Sequence, residues 1–174
     1  MKLLAVAYPE LSEKDLNRIE SYRKEHDTLY KIIRTHFTLV FPVKDFSEKI
    51  FTEEIKTQLK GIEPFSFTIR SATINKDSFV ENYYGFLVPD EGYSNILKLH
   101  DKLYSGKLLP YRQLDIDFIP HITIGNSTNI MSCKKMADDW NSHDFEISGI
   151  ISSVDIVNYE GATTLEKIKL PIKK

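Results

Sequence analysis

The sequence predicts an α+β fold with antiparallel sheets, helices on their outer faces, and two lobes facing each other across a central cleft. Three observations predict it. Strand-like and helix-like segments interleave along all 174 residues. Several connections between strands are hairpin-short, which antiparallel pairing allows and parallel pairing does not. One short motif, His-x-Thr in an apolar strand-like setting, occurs twice, 85 residues apart and once in each half. No low-complexity run or Gly/Ser linker divides the chain, so residues 1–174 read as one bilobal unit.

Leu3–Tyr8 is β-rich and ends against Pro9. Lys2 and the apolar stretch after it faintly imitate a signal peptide, but a true apolar region needs about 7–15 residues, so a first strand is expected. Ser12 with Asp15 resembles a capping box, and Leu16, Ile19 and Tyr22 follow at helical spacing. His36–Phe41 reads as a strand stopped by Pro42. Ser47 is placed to cap a second helix in which Phe51, Ile55 and Leu59 recur every four residues, with Gly61 as its stop. Phe65–Thr73 and Tyr84–Val88 read as strands, the second closed by a proline. Tyr93–Tyr104 presents Ile96, Leu99 and Leu103 on one helical face. Asp115–Phe118 and His121–Ile124 are strand-like, Cys133–Asn141 is a short helix, and Glu146–Asn158 and Thr164–Leu170 supply the last strands. No glycine-rich phosphate loop is present.

Composition narrows the function. The formal net charge is −2 and the pI about 6.2, so broad nucleic-acid binding through many phosphate contacts is not expected. No stretch approaches the run of about 20 apolar residues that spans a membrane. Cys133 is the single cysteine, which precludes an internal disulfide, and the chain reads as cytoplasmic. No obligate protein partner is evident.

The chemistry lies in the repeated motif. Strand side chains alternate faces, so His36 and Thr38 point one way while Phe37 and Leu39 point the other; His121 and Thr123 do the same against Ile122 and Ile124. Five histidines and eleven threonines would supply about a third of one His-x-Thr by chance in this chain, so two on apolar strands carry weight. Imidazole gives and takes protons near neutral pH. Two of them flanking a phosphorus can activate water on one side and protonate the leaving oxygen on the other, while threonine hydroxyls donate to the non-bridging oxygens. Zinc needs three or four ligands, and neither motif has a second His, Cys, Asp or Glu within two residues; no metal and no cofactor are expected.

These motifs resemble those of the two-histidine (2H) phosphoesterases, the superfamily that includes 2′-5′ RNA ligases and cyclic phosphodiesterases. Residues Ser21–Asp27 (SYRKEHD) followed by Thr35–Pro42 (THFTLVFP) look like the first half of bacterial members. Leu99–Leu103 (LHDKL) followed by Ile119–Gly125 (IPHITIG) looks like the second. The resemblance implies a bilobal α+β protein that acts without a metal on 2′,3′-cyclic phosphates or 2′-5′ linkages. It also implies a nucleotide or RNA end as substrate, His36 and His121 as the catalytic pair, and Thr38 and Thr123 as phosphate ligands. Several RNA-acting members carry a basic residue just after the second motif, where this chain has Gly125-Asn126. The alternative function is a non-catalytic module on the same fold that binds a nucleotide or RNA end.

Tyr8, Tyr84 and Phe118 are aromatic residues near strands that could contact substrate by stacking on a base, or could belong to the core. Arg34, Arg70 and Arg112 could reach a phosphate. Arg23 fits the family pattern, and a helix-surface or structural salt bridge suits it as well as a substrate role. His100 lies among leucines and is expected to pack, while His26 and His143 sit in polar stretches.

Overall fold

Each strand pairs with segments mostly remote in sequence, and the computed structural model, which describes residues 1–172, has these pairings in two sheets. The elements run β1 (Leu3–Ala7), β2 (Glu10–Leu11), α1 (Glu13–His26), β3 (Phe37–Val43), α2 (Glu48–Gln58), β4 (Phe65–Lys76), β5 (Tyr83–Glu91) and α3 (Tyr93–Leu103). A 3-10 helix at Gly106–Tyr111 precedes β6 (Ile122–Ser127), α4 (Ile130–Asn141), β7 (Ile147–Ile151), β8 (Ser153–Asn158) and β9 (Thr163–Lys169). One sheet has the order β3-β1-β8-β9 and the other β2-β7-β4-β5-β6, with antiparallel pairing throughout. The expected α+β class is observed.

Local chemistry starts the helices as expected. The Ser12 hydroxyl accepts from the Asp15 N–H, as an N-cap does, and donates to the Asp15 carboxylate at 2.6 Å, a side-chain bond in place of the reciprocal bond of a full capping box. Ser47 accepts from the Ile50 N–H. Alternation then divides each strand. In β1, Leu3, Ala5 and Ala7 enter the main core, while Leu4 and Val6 join Val157 on the opposite face. The main core draws on both sheets, and Phe37 of β3 meets Phe67 of β4 edge-on at 5.0 Å. Helix α1 packs on β6, α4 on β4 to β6, and α3 on β3 and β5.

The structure departs from the sequence reading in four places. Pro42 does not stop β3: that strand is the sheet's outer edge, and Pro42 falls in a bulge between the Leu3–Val43 and Ala5–Val40 pairs, where its missing N–H costs no ladder bond. Pro89 likewise lies within β5, beyond the last β6 pair at Leu87–Ile122. Asp115–Phe118 is irregular, a turn and bend that follow the 3-10 helix and join neither sheet. Glu146–Asn158 is two strands, with β7 in one sheet and β8 in the other, so the chain crosses between sheets at Ser152.

Candidate active site

Both motif histidines sit one residue ahead of a strand, His36 before β3 and His121 before β6. Each ring folds back on its own backbone. His36 Nδ1 lies 2.8 Å from the Arg34 carbonyl, and His121 Nδ1 lies 2.5 Å from the Ile119 carbonyl. A carbonyl only accepts, so Nδ1 carries the hydrogen in both rings and Nε2 is the nitrogen left for chemistry. The alternation that follows is as expected. Phe37, Leu39, Ile122 and Ile124 are fully buried, and Thr38 and Thr123 are partly exposed on the other face.

The cleft between the motifs has two adjoining chambers. One, of about 410 Å³, is lined by His36, Thr38 and Thr123 together with aliphatic side chains. The other, of about 420 Å³, is lined by His121, Thr123, Phe118 and other aromatic residues. Thr123, Tyr84 and Tyr159 border both. Recessed in this cleft, both imidazoles are poor proton acceptors: desolvation holds His36 and His121 down to about 4. Positive charge on His36 further lowers His121, so the two rings feel each other.

The two histidines are braced differently. Ahead of His36, a buried ionic network ties the loop to α1. Arg23, 2% exposed, pairs with Asp27 at 2.8 Å and Glu20 at 2.9 Å, and donates to the Ile33 carbonyl at 2.6 Å. Glu20 accepts from the Thr35 N–H at 2.7 Å, next to His36. The network reaches the second motif strand as well, because Asn126 of β6 donates to Asp27 at 3.0 Å. Gly125 makes that approach possible, since a Cβ there would lie 2.9 Å from the His26 carbonyl oxygen. Around His121 the support is aromatic: Phe86 of β5, paired with Thr123 across the ladder, stacks on the imidazole at 3.5 Å and 15°.

The three aromatic candidates all reach the cleft or its edge. Tyr8 meets His36 edge-on at 6.3 Å and carries the Arg34 guanidinium over its ring at 3.8 Å. Tyr84 stands between the chambers. Phe118 lines the His121 chamber while stacking on His100 at 3.6 Å. His100 itself packs as expected, with Nδ1 on the Leu39 carbonyl at 2.8 Å. Arg70 and Arg112 are elsewhere, held by Asp90, Glu91 and Glu146 and by Asp101 respectively. Sequence reasoning missed Phe86, although strand alternation puts it on the face of Tyr84. It also missed Tyr159, which lies in the β8–β9 turn and carries no local signal. Among the described residues, no group of three His, Cys, Asp or Glu is placed to hold a metal ion, and no helix is long and apolar enough to cross a membrane.

Residues 9–163 match the family model described as the 2′-5′ RNA ligase superfamily. Two proteins with phosphoesterase names are similar in sequence. One, from Geobacillus sp. (strain WCH70), is 32% identical over 60% of this chain and 58% of its own length. The other, from Geobacillus kaustophilus (strain HTA426), is 30% identical over 72% of this chain and 69% of its own. Among solved structures, TT0787 of Thermus thermophilus aligns with a TM-score of 0.61 at 15% identity, over 98% of each chain. LigT of E. coli, crystallised with NADP+, aligns with a TM-score of 0.56 at 14% identity, also over 98% of each chain. At these identities the structural likeness concerns the fold.

Proposed function

The chain belongs to the 2′-5′ RNA ligase superfamily of 2H phosphoesterases, and from that premise we propose that it is a metal-independent phosphodiesterase. Its substrates are 2′,3′-cyclic phosphates or 2′-5′ linkages of nucleotides or RNA ends. The observation that carries this reading is the matched pair of imidazoles, each tied through Nδ1 to the carbonyl two residues back, leaving both Nε2 atoms available at one cleft. E. coli LigT, a relative in fold, has been crystallised with ATP and 3′-AMP as well as NADP+, which supports a nucleotide as the ligand class.

In this mechanism one histidine takes a proton from water as it attacks phosphorus, and the other protonates the departing ribose oxygen. Thr38 and Thr123 donate to the non-bridging oxygens. With both rings held down to about 4 by burial in the cleft, neither is charged at neutral pH. An incoming phosphate anion favours the protonated form of the nearer ring, so substrate recruits its own acid. Asn126 favours a second reading. Where several RNA-acting members have a basic residue, its amide is committed to Asp27 and Thr28, which suits a module that holds a nucleotide without turnover.

The experiment is hydrolysis of a 2′,3′-cyclic nucleotide, and of an RNA ending in one, by wild type, His36→Ala and His121→Ala in EDTA. Wild type turns over unaffected by chelator, and each variant loses about 10²- to 10⁴-fold in kcat while its circular dichroism is unchanged. Near-wild-type turnover in either variant would refute the two-histidine mechanism. Loss of wild-type turnover in EDTA, restored by added metal, would refute the metal-free claim. Binding without turnover would establish the second reading.

A further inference from the structure

The two chambers of the cleft differ in chemistry. Beyond His36 the wall is mainly aliphatic, made by Leu4, Leu29, Ile32, Ile33 and Ala162, and its aromatic members Phe41, Tyr84 and Tyr159 are shared with the other chamber. The two charged residues that border it, Arg23 and Asp27, are spent on each other at 2.8 Å, and all three guanidinium nitrogens of Arg23 are engaged. A phosphate group seated there would give up water without gaining a free cation, at a cost that isolated buried charges rarely meet. The chamber's 410 Å³ is within the range of roughly 300–1,000 Å³ typical of small-molecule sites. Beyond His121 the wall is aromatic, through Tyr84, Phe86 and Phe118, and Lys2 and Lys76 offset Asp77 and Asp117. That side suits a nucleoside, whose base can stack on a ring. Because Thr123 borders both chambers, a phosphorus held there has one ester group on each side.

We propose that the chamber beside His36 seats an uncharged apolar ester arm, so that acyclic phosphodiesters joining a nucleoside to an apolar alcohol are substrates of this site. The inference rests on the phosphodiesterase reading above and adds its substrate class. The step balances as a hydrolysis. Water forms a P–O bond on the nucleoside side of phosphorus, and the P–O bond to the alcohol breaks. The alcohol leaves toward His36, whose imidazolium Nε2 gives its proton to the departing oxygen, while His121 Nε2 takes the proton of the attacking water. The products are the alcohol and a nucleoside monophosphate.

The test uses methyl, ethyl, propyl and butyl esters of 2′-deoxyadenosine 3′-phosphate, which lack the 2′-hydroxyl and cannot cyclise, with 2′,3′-cyclic AMP assayed in parallel. For the wild type, kcat/KM is expected to rise about fourfold per added methylene, the equivalent of roughly 0.8 kcal/mol for each one buried. The double variant Leu29→Ser/Ile32→Ser strips apolar wall from the chamber at two exposed positions, and the series is expected to flatten. A flat or falling wild-type series with cyclic AMP still hydrolysed overturns the apolar arm and leaves the phosphodiesterase standing. A rise of equal slope in the double variant also overturns it. Failure to hydrolyse cyclic AMP, a 2′-5′-linked dinucleotide assayed beside it and every ester refutes the phosphodiesterase reading itself.

Discussion

The His36 and His121 halves of the cleft use one local design and two kinds of support. In both, the histidine precedes a strand, its Nδ1 is tied to the carbonyl two residues back, and burial holds it down to about 4. The surroundings then diverge. His36 follows a loop pinned by the buried Arg23–Glu20–Asp27 network, whereas His121 lies flat against Phe86. Equivalent geometry at an imidazole can thus come from charge-assisted hydrogen bonds, which fix direction, or from ring packing, which fixes a plane. The polar solution is the more brittle, because removing one buried charge strands its partners.

The strongest way to break the comparison is to remove each support. Arg23→Met leaves the buried Asp27 and the half-buried Glu20 without their cation and is expected to cost about 3–5 kcal/mol, lowering Tm by on the order of 10 °C. Phe86→Leu is expected to cost about 1 kcal/mol beyond its lost area, and thermal melts of the two variants check the contrast. A Tm change for Arg23→Met no larger than that for Phe86→Leu would show that the network is not the brittle member.

The next effect concerns the threonines, which are matched across the cleft. On the proposed mechanism each of Thr38→Val and Thr123→Val removes one donor to a charged oxygen, and each is expected to lower kcat about 10- to 100-fold, the equivalent of roughly 1.5–3 kcal/mol. The circular dichroism of both is expected to stay that of wild type, since valine suits a strand. Steady-state kinetics on a cyclic nucleotide decides it, and loss in only one variant would show that the halves are unequal in holding phosphate.

The last effect, confined to acid pH, is proton linkage. Unfolded histidines titrate near 6.5, and the folded rings near 4. Between those values the unfolded chain binds protons that the folded one refuses. These two groups therefore make stability fall as pH drops from about 6.5 toward 4, and contribute no slope above it. Urea melts between pH 4 and 7.5 are expected to show this dependence shrink in His36→Ala and in His121→Ala. An unchanged slope in both would mean that the rings are not held neutral.

Much of the site was legible because its signals are local. The two H-x-T motifs, their alternation, and the caps at Ser12 and Ser47 each depend on residues within a few positions of one another. Alternation with Tyr84 gives the face of Phe86 but not its stacking on His121, which depends on the cross-strand pair with Thr123, and nothing local places the Tyr159 turn beside the cleft. Arg23 reads from sequence alone as a surface, structural or substrate-binding residue for the same reason: its partners include Ile33, ten residues on, and Asp27, which in turn holds Asn126 on another strand. Pro42 and Pro89 misled as strand stops because the cost of a proline depends on whether a neighbour strand needs its N–H. That is a property of the sheet.

By itself, the sequence determined the α+β class, the family resemblance, and which side chains have the chemistry to transfer a proton or hold a phosphate, since residue type and strand period are local facts. Only the tertiary structure decided that residues 146–158 divide between two sheets. It alone brings His36 and His121 to adjoining chambers, and gives one chamber a mainly aliphatic wall and the other a mainly aromatic one. The physical reason is that sheet partners and chamber walls are chosen by burial of surfaces far apart along the chain, and no local pattern encodes which distant surface will cover which.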